Sequence, residues 1–180
     1  MQKALYFIAL LPTEDIMNEV LSMQKEIAKK YGSYVALNAP AHITVQKPFF
    51  RNIDKEELLI SELNEFCKSQ TGFQINLNDY GGFPPRTIFI KPESSPALDL
   101  LYEKLQAFLK SKLNFNMKEL SNYKFNPHMT IANRDISKTG FDVAWKHYQD
   151  KEYKRKFMLN NISLLKHNGE NWDIHKSFEI

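Results

Sequence analysis

A four-residue pattern of His, apolar, Thr, apolar occurs twice in this chain, at residues 42–45 and 128–131. Proline stands shortly before each copy, and each copy ends a similar stretch made of an apolar, strand-like run followed by a helix-like segment. The first helix-like segment starts near Thr13, 29 residues before the first motif, and the second near Pro96, 32 residues before the second motif. This repeat predicts an internal duplication, so the fold should consist of two similar halves.

The alternation of side chains along a strand explains what each motif offers. His42 and Thr44 share one face of their strand, as do His128 and Thr130, whereas the apolar residues of each motif point the other way. If the apolar faces pack on a core, the polar faces line a cleft. Two imidazoles that titrate near neutral pH, each beside a hydroxyl donor, are a suitable apparatus for cleaving a phosphodiester without a metal.

Hydrophobic periodicity predicts an α+β protein in which helices and strands alternate without a low-complexity linker. Capping residues and inward apolar stripes predict helices over 13–32, 55–69 and 96–113, and a further helix near Trp145. Strands are predicted over 4–11, 42–50, 73–79, 86–91, 128–133, 156–166 and 171–178.

Composition and charge limit the classes of function. With 180 residues and 43% hydrophobic residues, the chain is expected to form a single domain over 1–180. The net charge of +3 comes from basic residues scattered among acidic ones, which suits a small phosphate ligand or an RNA end better than a long duplex. The chain has no G-x-S-x-G motif, so a serine hydrolase of that type finds no support.

Two features of the sequence predict the cellular location of the protein. Its only cysteine, Cys67, cannot form an internal disulfide, which fits a reducing cytoplasm. The N-terminal apolar run ends at Pro12, far short of the roughly twenty residues that span a bilayer. We therefore expect a cytoplasmic monomer that does not contact a membrane.

Four elements, taken in order, resemble a known family. They are residues 5–12, the paired motifs, residues 82–84 (Gly-Phe-Pro) and residues 125–132, and together they span nearly the whole chain. In this order they resemble the 2H phosphoesterases, and within them the group called 2′-5′ RNA ligase-like or cyclic phosphodiesterase-like proteins. Relatives often carry Arg five residues after the second His, where this chain has Asn133, followed by Arg134.

The resemblance implies a fold of two lobes related by a pseudo-twofold axis, each an antiparallel sheet with helices on its outer face. A cleft between the lobes would hold His42, Thr44, His128 and Thr130 as catalytic residues. The implied substrates are 2′,3′-cyclic phosphate or 2′-5′-linked RNA ends, with no cofactor and no metal. Two alternatives stay open: a small cyclic nucleotide or an ADP-ribose cyclic phosphate as substrate, or a protein that binds RNA ends or nucleotides without catalysis.

Substrate-binding residues are predicted around the motifs. Lys47 and Arg86 are candidates for phosphate contacts, and Arg51 and Lys124 are weaker ones. Phe83 and Tyr123 are candidates for stacking on a base. The other three histidines are expected to have surface or core roles; they are His147, His167 and His175.

Overall fold

The predicted alternation of helices and strands is confirmed by a computed structural model, which describes residues 2–120 and 124–180. In these ranges the elements are β1 (Lys3–Leu10), α1 (Glu14–Tyr31), β2 (Ile43–Asn52), α2 (Glu56–Lys68), β3 (Phe73–Phe83), β4 (Thr87–Pro92), α3 (Pro96–Lys112), β5 (Met129–Ala132), α4 (Lys138–Tyr148), β6 (Lys154–Leu159), β7 (Asn161–His167) and β8 (Trp172–Glu179). Short 3-10 helices lie at Val35–Asn38 and Ile53–Lys55. None of these described helices is long and apolar enough to cross a membrane.

The predicted single strand over 156–166 is wrong, because β6 and β7 are separate strands that break at Asn160. β6 pairs with β3, whereas β7 pairs with β1 in the other half of the sheet. Asn160 and Asn161 are both exposed, so the alternation of buried and exposed side chains is interrupted at that point. Two adjacent exposed asparagines mark the place where the chain passes from one half to the other.

All eight strands belong to one antiparallel sheet of order β6-β3-β4-β5-β2-β1-β7-β8. The unit β1-α1-β2 on one side corresponds to the unit β4-α3-β5 on the other, which confirms the two-lobed duplicated fold. The halves meet where β2 and β5 pair, at Ile43 and Met129. These are the residues that follow the two motif histidines, so the duplication places both motifs at the centre of the sheet.

The helices cross between the halves. α1 leaves the first half and packs against β5, and α3 leaves the second half and packs against β2. The apolar motif residues are buried in the core cluster that these helices complete; they are Ile43, Val45, Met129 and Ile131. Because side chains alternate along a strand, the histidines and threonines face away from this core.

Local chemistry explains where the two crossing helices begin and end. Pro96 follows Ser95, whose hydroxyl accepts a hydrogen bond from the amide of Leu98 and so caps α3. Thr13 occupies the equivalent position before α1 but its side chain makes no capping hydrogen bond. Gly32 caps the C-terminal end of α1, and its φ of 74° lies in the left-handed region that glycine adopts without strain.

Candidate active site

Both motif histidines stand directly before the central strands, His42 before β2 and His128 before β5. Since these strands are neighbours, the two imidazoles approach one another from opposite halves of the molecule. His42, Thr44, His128 and Thr130 all line one cavity of about 580 Å³, which we call the main cavity. This volume lies within the range of small-molecule sites.

Each imidazole is oriented by a carbonyl oxygen two residues earlier in the chain. Nδ1 of His42 lies 2.7 Å from the oxygen of Pro40, and Nδ1 of His128 lies 2.8 Å from the oxygen of Asn126. A carbonyl oxygen only accepts hydrogen bonds, so Nδ1 must carry the proton in both rings. Nε2 is then left as the ring nitrogen that can accept or donate a proton to a ligand.

Aromatic rings pack against each imidazole in a related way. The ring of Phe7 on β1 lies 4.9 Å from that of His42, and the ring of Phe89 on β4 lies 5.3 Å from that of His128. Phe83 makes an edge contact with His128, also at 5.3 Å. Because β1 and β4 are equivalent strands of the duplication, the packing around the histidines is duplicated as well.

The pKa of His42 is lowered below its usual value by its surroundings. Burial is the largest cause, since it disfavours the charged imidazolium. The carbonyl of Pro40 raises this pKa in part, and the charge of His128 lowers it further. The net effect favours the neutral form of His42, which is the form that can accept a proton.

The hydroxyls of Thr44 and Thr130 complete the polar lining. Both side chains are half-buried beside the histidines and both line the main cavity. Neither hydroxyl forms a hydrogen bond within the described residues, so both can donate to a ligand.

The four predicted substrate-binding residues differ in position. Phe83 lines the main cavity. Lys47 lines a second cavity of about 240 Å³ that shares Thr44, Phe83 and His128 with the main one; we call it the distal cavity. Arg86 is exposed in the turn between β3 and β4 and lines neither cavity. Tyr123 lies outside the described residues.

The other basic side chains near the motifs also lie in different places. Arg134 lines the main cavity and Lys124 lines the distal one. Arg51 instead forms an ion pair with Glu119, and its guanidinium lies 3.8 Å from the ring centre of Phe115. We therefore assign Arg51 to packing of the segment that precedes the second motif.

The main cavity is also lined by residues that were not predicted from the sequence, among them Gln24, His167 and Trp172. Gln24 is only 3% exposed, and it lies four residues after Val20 on the inward face of α1. The sequence contained one indication of this role, a polar residue on the otherwise apolar face of α1. His167 and Trp172 face each other across the β7-β8 hairpin with ring centres 4.9 Å apart, and only the strand pairing brings them to the cavity.

The described parts of the chain offer neither a metal site nor a reactive thiol. Within residues 2–120 and 124–180, no cluster of three or more His, Cys, Asp or Glu side chains has a geometry that could hold a metal ion. Cys67 is fully buried on α2, and burial raises the pKa of its thiol to about 12. Such a thiol remains protonated and unreactive at neutral pH.

Solved structures with the same fold include two bacterial proteins. Escherichia coli LigT complexed with 3′-AMP matches with a TM-score of 0.72 over 99% of both chains, at 17% identity. The protein TT0787 of Thermus thermophilus matches with a TM-score of 0.68 over 97% of both chains, at 18% identity. At these identities the likeness concerns the fold.

Sequence comparisons give the family. A Bacillus mycoides protein that bears the name "Putative phosphoesterase" is 24% identical over 177 residues, which cover 96% of this chain and 95% of the relative. A Bacillus thuringiensis protein with the same name is 25% identical over 176 residues, with the same coverage. The family model of the 2′-5′ RNA ligase superfamily matches residues 12–171. The chain therefore belongs to the 2′-5′ RNA ligase superfamily, which confirms the resemblance based on the four ordered sequence elements.

Proposed function

We propose that this protein is a metal-independent phosphodiesterase that acts on 2′,3′-cyclic phosphate or 2′-5′-linked RNA ends through two histidines. One observation carries the proposal. Two imidazoles share one cavity, and both have Nδ1 held by a backbone carbonyl so that Nε2 is available to the ligand. A binding protein would not need two proton-transfer groups in matched orientations.

The lowered pKa of His42 supports its role as the general base in hydrolysis. Its Nε2 accepts a proton from water as the water oxygen attacks phosphorus. The bond from phosphorus to a ribose oxygen breaks, and Nε2 of protonated His128 donates its proton to that oxygen. The product is a ribose with one free hydroxyl and one phosphomonoester. In ligation a ribose 5′-hydroxyl takes the place of this water and the two histidines keep their roles; they exchange roles when the 2′-5′ linkage is cleaved back to the cyclic phosphate.

Thr44 and Thr130 supply the electrostatic part of the mechanism. Negative charge grows on the non-bridging phosphate oxygens as the attacking oxygen adds. Hydroxyl donors that are already in position stabilise this charge, and removal of one such donor typically costs about 10²–10³-fold in rate. Phe83 is proposed to stack on a base, because it lines the main cavity with an exposed ring.

The substrate class is supported by ligands of fold neighbours. The solved structures of E. coli LigT that match this fold include complexes with 3′-AMP, ATP and NADP+. The main cavity, with a volume of about 580 Å³, is large enough for a nucleotide. The cytoplasmic location and the monomeric state stay predictions.

The test is hydrolysis, in the presence of EDTA, of the four 2′,3′-cyclic mononucleotides, of a short RNA that ends in a 2′,3′-cyclic phosphate, and of ADP-ribose cyclic phosphate. We expect turnover that EDTA does not reduce, and the product isomer identifies the ester bond that breaks. Turnover of ADP-ribose cyclic phosphate alone would replace the RNA substrate with the small one. Binding of these ligands without turnover, by folded protein, would refute the enzyme and support the binding-only alternative.

A further inference from the structure

The distal cavity adjoins the proposed active site on one side only. Thr44, Phe83 and His128 line both cavities, whereas His42 and Thr130 line only the main cavity. A phosphate held between the two histidines therefore lies in the main cavity, next to His128, which also lines the distal cavity. A group that extends from this phosphate past His128 would reach the distal cavity.

The charge of the distal cavity favours an anion. Lys47 and Lys124 line it, and its lining contains no Asp or Glu. Neither lysine forms an ion pair with any residue in the described ranges. Two unpaired ammonium groups beside an apolar wall attract phosphate strongly, because each can donate charge-assisted hydrogen bonds.

The shape of the distal cavity favours a fragment of a nucleotide. Its wall includes the stacked rings of Tyr102 and Phe125, which lie 4.0 Å apart with an angle of 6° between their planes. Its volume of about 240 Å³ is below the usual range for a complete small-molecule ligand. This space suits a phosphate with part of the sugar or base that is attached to it.

We propose that the distal cavity binds the phosphodiester on the 5′ side of the terminal nucleotide, so that the substrate is an oligonucleotide end. The inference rests on the proposed function above. In hydrolysis, the ribose oxygen that His128 protonates lies next to His128, which lines both cavities. The 5′ carbon of the same ribose carries the next phosphate, which then meets Lys47 and Lys124. A free cyclic mononucleotide lacks this phosphate and leaves the distal cavity without its ligand.

Three substrates test the proposal: adenosine 2′,3′-cyclic phosphate, the dinucleotide ApA with a 2′,3′-cyclic end, and the same dinucleotide with an uncharged methylphosphonate linkage. We expect kcat/KM to be about tenfold or more higher for the charged dinucleotide than for the mononucleotide, the scale of one charge-assisted phosphate contact. The methylphosphonate should lose most of this gain, because it keeps the second nucleoside but removes the charge.

Variants connect the gain to the two lysines. In Lys47→Ala and Lys124→Ala the ratio of kcat/KM between the charged and the uncharged dinucleotide should fall toward one. Lys156→Ala removes the same charge from an exposed position on β6, where Lys156 lines a separate surface cavity. This control should keep the ratio of the unchanged protein.

The outcomes separate the two proposals. Equal kcat/KM for the mononucleotide and both dinucleotides would overturn the distal site and leave the proposed function intact. If none of the three substrates is hydrolysed, the proposed function fails. The distal site is then tested separately, by measuring the affinity of the His42→Ala variant for the same three ligands. Tighter binding of the charged dinucleotide would support that site, and equal affinities would overturn it.

Discussion

The side-chain amide of Gln24, on α1, donates a hydrogen bond of 3.0 Å to the carbonyl oxygen of Thr130 on β5. Gln106 on α3 makes the related contact in the other half, a hydrogen bond of 3.0 Å to the carbonyl oxygen of Val45 on β2. Each crossing helix therefore holds the motif strand of the opposite half. This arrangement ties the relative position of the two motifs to the side-chain amides of Gln24 and Gln106.

Replacing Gln24 by Met keeps the length of the side chain and removes the donor. The carbonyl of Thr130 then loses its partner beside a buried side chain, which should cost about 1–3 kcal/mol in the free energy of unfolding. We also expect a lower kcat in fully folded protein, because the Thr130 hydroxyl loses its fixed position. Urea unfolding and steady-state kinetics measure the two effects.

The control for Gln24→Met is Gln149→Met, at an exposed position after α4. A surface change of this kind should stay within about 0.5 kcal/mol of the unchanged protein. If Gln24→Met also stays within that range and keeps full kcat, the amide does not position Thr130.

The pH dependence of kcat/KM follows from the lowered pKa of His42. A general base works in its neutral form, which predominates above its pKa. Because the pKa is lowered, the acid limb of the profile should have its midpoint below about 6.5, the usual value for histidine. In Phe7→Ala the ring beside His42 is removed and the imidazole is more hydrated, so the midpoint should rise toward about 6.5.

Phe50→Ala serves as the control for the pH experiment, since Phe50 is 58% exposed on β2. It should leave the midpoint unchanged. An acid limb at or above about 6.5 in the unchanged protein, or a midpoint that Phe7→Ala does not move, would contradict the assignment of His42 as the base.

Removing either threonine hydroxyl tests the electrostatic part of the mechanism. Thr44→Val and Thr130→Val keep the shape of the side chain, so thermal unfolding should change little. We expect kcat to fall by about 10²–10³-fold in each. Thr44→Ser and Thr130→Ser restore a hydroxyl and should recover much of the rate; a serine variant as slow as its valine counterpart would point to loss of packing instead.

Local sequence patterns were sufficient to predict which motif side chains share a face at the candidate site. Alternation along a strand placed His42 with Thr44, and His128 with Thr130, on the face opposite the buried Ile43 and Met129. This works because strand periodicity is a short-range property. The duplication then implied that the two motifs lie in equivalent places.

Features that depend on long-range pairing could not be predicted in this way. Trp172 reaches the main cavity because β7 and β8 pair next to β1, and no local pattern encodes that order. Gln24 acquires its role because α1 crosses to the opposite half. The break at Asn160 was visible as two adjacent asparagines, but its meaning depends on which strands β6 and β7 join.

In the proposed mechanism both histidines act as one unit, and kcat of the single and double histidine variants shows whether they do. Measured on a 2′,3′-cyclic phosphate substrate, His42→Ala and His128→Ala should each lower kcat by about 10²–10⁴-fold while thermal unfolding stays cooperative. Groups that act together are not additive, so the double variant should be about as slow as the slower single variant. Near-normal turnover in either single variant, or multiplied losses in the double one, would contradict the two-histidine mechanism.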